Sequence, residues 1–190
     1  MPVILERPYL RARAVEYARR WALDRNPLFY NFTGIGGDCT NFVSQCVLAG
    51  SCVMDYTPVY GWYYRNPDDR APAFSGVPYF WNFMTGAPAN LEAGAVTGPI
   101  GREVSRRELR PGDVIQLSDE AGQFYHTLLV TGFEGGTPLV AAHSNDALDR
   151  PLSSYDYAGA RYLHLLGVRF LVPDGDCFED LLEGKVLPPG

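Results

Sequence analysis

Helical and strand-like periodicities occupy different parts of this 190-residue chain, and that segregation constrains its fold more than any other feature. Leu10, Ala14, Tyr17, Ala18 and Trp21 recur at helical spacing, with Arg11, Arg13, Arg19 and Arg20 largely on the other side. The pattern predicts an amphipathic helix over 10–24 that ends at Asn26-Pro27. A second helical pattern starts near Asp38, carries Phe42, Val43, Cys46 and Val47 on one buried face, and is expected to stop at Gly50. After Pro111-Gly112 the period changes. Residues 113–117, 125–133, 137–144 and 162–172 are short runs with β-branched residues and glycine turns, read as an antiparallel meander. Helices first and strands later is the order of the α+β class.

The stretch at about 51–110 shows little periodicity. Eight Pro and Gly positions from Pro58 to Pro88 punctuate it, and aromatic residues from Tyr56 to Phe83 fill it. It is expected to be a long loop region with a short helix near Tyr79–Met84. Its rings either pack the underside of the loop or line a cleft. Residues after Pro173 read as an acidic tail with a helical turn at Phe178–Leu182, and length predicts one domain over 1–190.

Charge and cysteine usage narrow the function classes. A net charge of -6 argues against a nucleic-acid partner and gives no reason to bind acidic membranes. No apolar run approaches membrane-span length. The start Met-Pro-Val-Ile-Leu-Glu-Arg-Pro lacks the charged-then-apolar order of a signal peptide, so the sequence as it stands is expected in the cytoplasm. The cysteines are Cys39, Cys46, Cys52 and Cys177, with no CxxC pair. If Cys39 stays free, an odd three remain, which fits a reducing compartment better than a disulfide framework; a Cys52–Cys177 bridge is compatible with the sequence.

The chemistry centres on Gly36-Gly37-Asp38-Cys39-Thr40-Asn41. Asp38 stands where an N-cap belongs, and Cys39 falls in the first helical turn, where the dipole favours thiolate. Cys46, seven residues on, reads as a small core residue. A cysteine nucleophile needs a base, and usually a group that orients the base. Of His126, His143 and His164, His126 opens the second strand; alternation sets it with Leu128 and Val130 on a face expected to pack on the Cys39 helix. His164 lies in another strand-like run and is better explained structurally.

Hairpin geometry limits the orienting group. A two-residue turn at Gly135-Gly136 pairs Glu134 with Thr137 and sets His126 opposite Asn145. A four-residue loop over 133–136 pairs Gly132 with Thr137 and sets His126 opposite His143. Both registers put His143 and Asn145 on the His126 face, and Ser144 and Asp146 on the other unless a bulge intervenes. The third group is therefore His143 or Asn145, with His143 preferred. The Cys39 backbone amide would steady an oxyanion, with Thr40 or Tyr30 as a second donor. No spaced ligand pair announces a metal site, and this chemistry requires no cofactor.

At these residues the chain resembles the putative amidase domain family, within the wider group of NlpC-like and CHAP papain-like hydrolases. The matching stretches include residues 14–18 through 21–23, Asn26-Pro27, Tyr30-Asn31-Phe32 and the motif Gly37-Asp38-Cys39-Thr40-Asn41-Phe42-Val43-Ser44-Gln45-Cys46. They continue with residues 60–64, residues 111–117, His126 with Val130-Thr131, and His143-Ser144-Asn145-Asp146 followed by Pro151-Leu152. Together they run from about residue 9 to about 170. The resemblance implies a papain-like α+β core, its cysteine helix packed on an antiparallel sheet, with Cys39 as nucleophile and His126 as base. It implies a third polar residue from the following strand, and a peptide or small amide substrate, as in related enzymes that cut peptidoglycan. Two other readings use the same scaffold: a binding module that does no chemistry, and an acyl transferase with an amine acceptor.

Overall fold

The structure is a computed structural model that describes residues 2–173 and 175–189. A short strand, β1 (Leu5–Arg7), leads into helix α1 (Arg11–Trp21), which buries Ala14, Tyr17, Ala18 and Trp21 as its periodicity requires. Helix α2 (Asp38–Ser51) follows, and every one of its residues is buried. Two of its polar side chains are partnered inside the fold: Ser44 accepts from the Trp62 indole at 3.0 Å, and Gln45 from the Tyr17 hydroxyl at 2.7 Å. Gly50 does not end α2. A Cβ there would sit 2.5 Å from the Tyr9 ring, so the glycine serves close packing. The helix stops two residues later than expected, at left-handed Cys52 (φ 56°).

The stretch expected to be mainly loop is a chain of short elements. These are β2 (Tyr64–Asn66), β3 (Asp69–Arg70), α3 (Pro72–Ser75), α4 (Val77–Met84), α5 (Pro88–Glu92) and β4 (Gly98–Val104). Trp62, Tyr64, Phe74 and Phe80 are fully buried in the core around α2, so these rings are packing and not a cleft lining.

The remaining elements are β5 (Val114–Ser118), β6 (Phe124–Glu134), β7 (Thr137–Ala142), β8 (Ala147–Pro151), β9 (Gly159–Phe170) and α6 (Phe178–Leu182). Among the described residues, seven strands form one antiparallel sheet. Strands β5, β6 and β7 make the expected meander; β8 extends it where no strand was expected, and β9, expected as its next strand, returns beside β5 instead. Strand β4 lies along one edge of β9, with β5 and then β1 along the other. The architecture is α+β.

Both faces of the sheet are covered. One carries Leu129, Ala141 and Leu163 against α1 and α2; the other carries Leu117, Leu128, Val130 and Val140 against Leu109 and Leu152. Cys52 and Cys177 form a disulfide, so the tail is tied to the end of α2, and Cys39 and Cys46 are the free thiols. The expectation built on an odd cysteine count is corrected: Cys177 reaches Cys52 because α6 docks Phe178 and Leu181 into the core.

Candidate active site

The start of α2 is shaped by backbone first. Gly37 holds the N-cap position with φ 94°, and a Cβ on it would lie 2.8 Å from the Ser75 carbonyl. Glycine alone meets both conditions. Asn41 donates to Gly37 in the first helical bond, so the amides of Asp38, Cys39 and Thr40 have no partner within the helix.

Asp38 is not the cap. It occupies the first turn and turns its carboxylate back to the preceding loop, accepting from the Phe32 amide at 3.0 Å and the Thr33 hydroxyl at 3.3 Å. His143 Nδ1 lies 2.9 Å from the same carboxylate, and Arg25 Nε lies 3.6 Å away. These contacts hold its pKa below the usual value, His143 first among them, against the opposing effect of burial.

Cys39 is 6% exposed. Its sulfur receives a hydrogen bond from the Thr127 backbone and lies 3.8 Å from the Thr40 hydroxyl, which pairs with the Thr127 hydroxyl at 2.8 Å. Burial pushes the thiol pKa up, the Asp38 charge adds to that, and the hydrogen bonds do not reverse it. Burial thus works against the thiolate that the helix start was expected to favour, and it keeps the resting thiol protonated at neutral pH.

His126 is not on the Cys39 face. Leu128 and Val130 pack in the second core, away from α2, and the His126 ring lies with them, 6.0 Å from the Tyr155 ring and 6.4 Å from Tyr125. Thr127 and Leu129 are the residues that meet α2. Among the described residues no hydrogen bond joins His126 to Cys39, and its ring nitrogens bond to no other side chain. Burial, with the Arg150 charge behind it, lowers its pKa to about 4, so the ring is neutral at ordinary pH.

The hairpin explains the second misplacement. Gly135 and Gly136 form the two-residue turn, with Glu134 paired to Thr137. The register then shifts between Gly132–Leu139 and Val130–Val140, leaving Thr131 as a bulge whose hydroxyl bonds the Leu139 carbonyl and Asp149. One extra residue reverses the parity of everything beyond it. His143 thus arrives on the α2 side, stacked on Phe42 with centroids 4.0 Å apart. Both of its ring nitrogens are engaged, Nδ1 by Asp38 and Nε2 by the Trp21 carbonyl at 2.9 Å, with Arg25 Nη1 at 3.2 Å. It clamps the Asp38 turn and does not touch His126. Asn145 sits in an exposed turn at φ 73° and reaches neither. Asp146 instead chelates Arg25 at 2.9 Å through both oxygens.

Tyr30 is 47% exposed and contributes backbone contacts to Tyr64 and Asn41, not a donor to Cys39. His164 pairs with buried Asp113 at 2.8 Å, in keeping with a structural role. Sequence reading missed Arg25, which links Asp38, His143 and Asp146. It also missed Gln116, whose amide donates to Val77 at 2.9 Å and to the Thr127 hydroxyl at 3.3 Å. Arg25 stands in no motif, and Gln116 lies in the matched stretch 111–117 with no role assigned to it; the tertiary fold brings both to the site. Among the described residues no group of three or more His, Cys, Asp or Glu is arranged to hold a metal, and no helix is long and apolar enough to cross a membrane.

No solved structure matches the chain. The uncharacterized protein YhbB of Bacillus subtilis (strain 168) is 34% identical over 152 residues, covering 78% of this chain. The match accounts for 45% of that protein, so the chain spans about half the length of this curated relative. Residues 8–166, which contain Cys39, His126 and the elements around them, match the putative amidase domain, and the chain belongs to that family.

Proposed function

We propose that this protein hydrolyses an amide or peptide bond with Cys39 as nucleophile and His126 as base. Membership of an amidase family points to hydrolysis of an amide. One observation carries the assignment of residues. Of the three histidines, His143 and His164 are held by carboxylates, while His126 is neutral and uncommitted, and the next residue, Thr127, holds the Cys39 sulfur. A neutral imidazole can accept the thiol proton as sulfur attacks the carbonyl. It then returns that proton to the leaving amine, and water drawn through the same ring releases the acyl group from sulfur. The Asp38 and Cys39 amides, which have no partner within the helix, are suited to the oxyanion. In this structure the His126 ring lies on the face of the sheet away from α2, so a proton can pass between it and the Cys39 thiol only if the start of β6 rearranges when substrate binds. A cysteine helix packed on an antiparallel sheet supports the papain-like, NlpC- and CHAP-type grouping and a peptide substrate such as those of peptidoglycan. The disulfide between Cys52 and Cys177 favours work in an oxidising compartment.

The test is turnover of peptide amides and peptidoglycan fragments by the protein and by its Cys39→Ala and His126→Ala variants. Loss of all turnover in both, with the fold intact, is expected; a Cys39→Ala protein that still hydrolyses would sink the assignment. A second reading, a binding module on the same scaffold, draws on the neutral thiol and the missing Cys39–His126 bond. It requires peptide binding without turnover by the unmodified protein.

A further inference from the structure

Thr127, Gln116 and Arg161 occupy one rung across β6, β5 and β9. Residues directly opposite one another share a face of a sheet, and the Thr127–Thr40 bond fixes that face as the one carrying Cys39. Arg161 is held there from three sides. Its guanidinium lies 4.1 Å over the Trp81 ring and 3.8 Å over the Phe124 ring. Its Nε and Nη2 both donate to Gln116 Oε1, at 2.9 and 2.6 Å. Gln116 is itself fixed by Val77 and Thr127. Among the described residues no carboxylate forms an ion pair with Arg161, and Nη1 bonds to none of them. Burial lowers its pKa to about 10, opposed by the charge of Glu103, so the group stays cationic.

The ring faces and the Gln116 oxygen offset only part of the desolvation cost of this partly buried cation, and a carboxylate at Nη1 would add the charge-assisted bond it lacks. The chain's net charge of -6 offers acidic ligands no general attraction, so a local cation must supply it. Thr127, whose backbone holds the Cys39 sulfur, is two strand spacings from Arg161, about 10 Å. That distance is about three residues of extended peptide.

We propose that Arg161 binds a carboxylate of the substrate, so that the bond cut at Cys39 lies in an acidic peptide, within about three residues of the carboxylate. The inference rests on Cys39 being the nucleophile, and it names the substrate class of that site. An Arg–carboxylate contact through Nη1 needs no rearrangement of the stacked group. The carboxylate can be a chain terminus or an Asp or Glu side chain.

The test is calorimetric binding of acetylated tetrapeptides to the Cys39→Ala protein, which keeps turnover out of the measurement. The panel pairs a free C-terminal acid with its amide, and Glu with Gln at each position, so the two sources of carboxylate are separated. At least one acidic member is expected to bind about tenfold more tightly than its neutral twin. Arg161→Gln in the same background should erase that tenfold, while Arg161→Lys keeps part of it. Equal binding of every acid–neutral pair, no binding of any peptide, or a preference that survives Arg161→Gln would overturn the inference. The same peptides given to the protein with Cys39 intact keep the two claims apart. A carboxylate preference without Cys39-dependent cleavage fails the hydrolase reading alone, and cleavage blind to charge fails this one alone.

Discussion

Acid should destabilise this protein through His126, and by an amount the structure fixes. In the folded chain the ring resists protonation until about pH 4, whereas an unperturbed histidine takes its proton near 6.5. Between those values the unfolded chain binds a proton that the folded chain refuses, so stability falls as pH drops through the window. A gap of about 2.5 pH units at about 1.36 kcal/mol each gives about 3 kcal/mol by pH 4. Asp38 acts lower still. Its carboxyl is held below the usual value, so the stability it contributes is lost only as pH falls further. The assay is urea unfolding of the protein and of His126→Asn at pH 7, 5.5 and 4. His143, His164 and every carboxylate are common to both, so the difference between the two curves isolates His126. That difference should change by about 3 kcal/mol from pH 7 to pH 4, in the direction that favours the variant in acid. Parallel curves, agreeing within about 0.5 kcal/mol at every pH, would refute a neutral, desolvated His126. The base assignment adds a kinetic consequence: the acid limb of kcat/KM should fall near pH 4 and not near 6.5.

Three further outcomes are expected. His143→Ala removes one partner of a buried carboxylate and should cost about 3–5 kcal/mol in urea unfolding; a cost under about 1 would mean that Phe32, Thr33 and Arg25 satisfy Asp38 without it. Reduction of the Cys52–Cys177 disulfide, which spans 125 residues, should lower stability by about 4–5 kcal/mol from loop entropy, read as a fall in the urea midpoint on adding a phosphine reductant. Gly50→Ala improves helix propensity by about 1 kcal/mol, yet its methyl would lie 2.5 Å from the Tyr9 ring and 3.0 Å from the Leu10 carbonyl. A net loss of about 1–2 kcal/mol is expected in thermal unfolding, and a gain would show that Tyr9 yields easily.

What could be read in the sequence, and what could not, divides along physical lines. Helices α1 and α2 and strands β5, β6, β7 and β9 were legible because each repeats its period long enough to register. Helix α4 was legible from Tyr79 to Met84 but not at its Val77-Pro78 start, and α3 and α5 were obscured by their own prolines. Each carries Pro within its first two residues, where the missing N–H costs nothing, and the same prolines read as loop punctuation. Strand β4 contains Pro99 and Gly101, and β8 contains Asp149 and Arg150, so neither shows a β pattern.

At the site, the position of Cys39 was legible from the glycine pair before it, because a left-handed turn into a helix is a local property. The histidines were not, for two separate reasons. Strand β6 is apolar on both faces, Leu128 and Val130 on one and Leu129 on the other, so alternation groups residues by face without saying which face meets α2. The bulge at Thr131 depends on a bond to Asp149, eighteen residues on, and no local pattern encodes it. That single inserted residue decides the division of labour. With it, His143 crosses to the α2 side, where Asp38 and the Trp21 carbonyl consume its ring. His126 stays on the far face, and its ring bonds to no other described side chain. A deletion that straightened the strand at Thr131 would put the two histidines on one face. It would also strip Asp38 of its clamp, so the bulge is what sets one histidine against the Cys39 helix and leaves the other on the far face of the sheet.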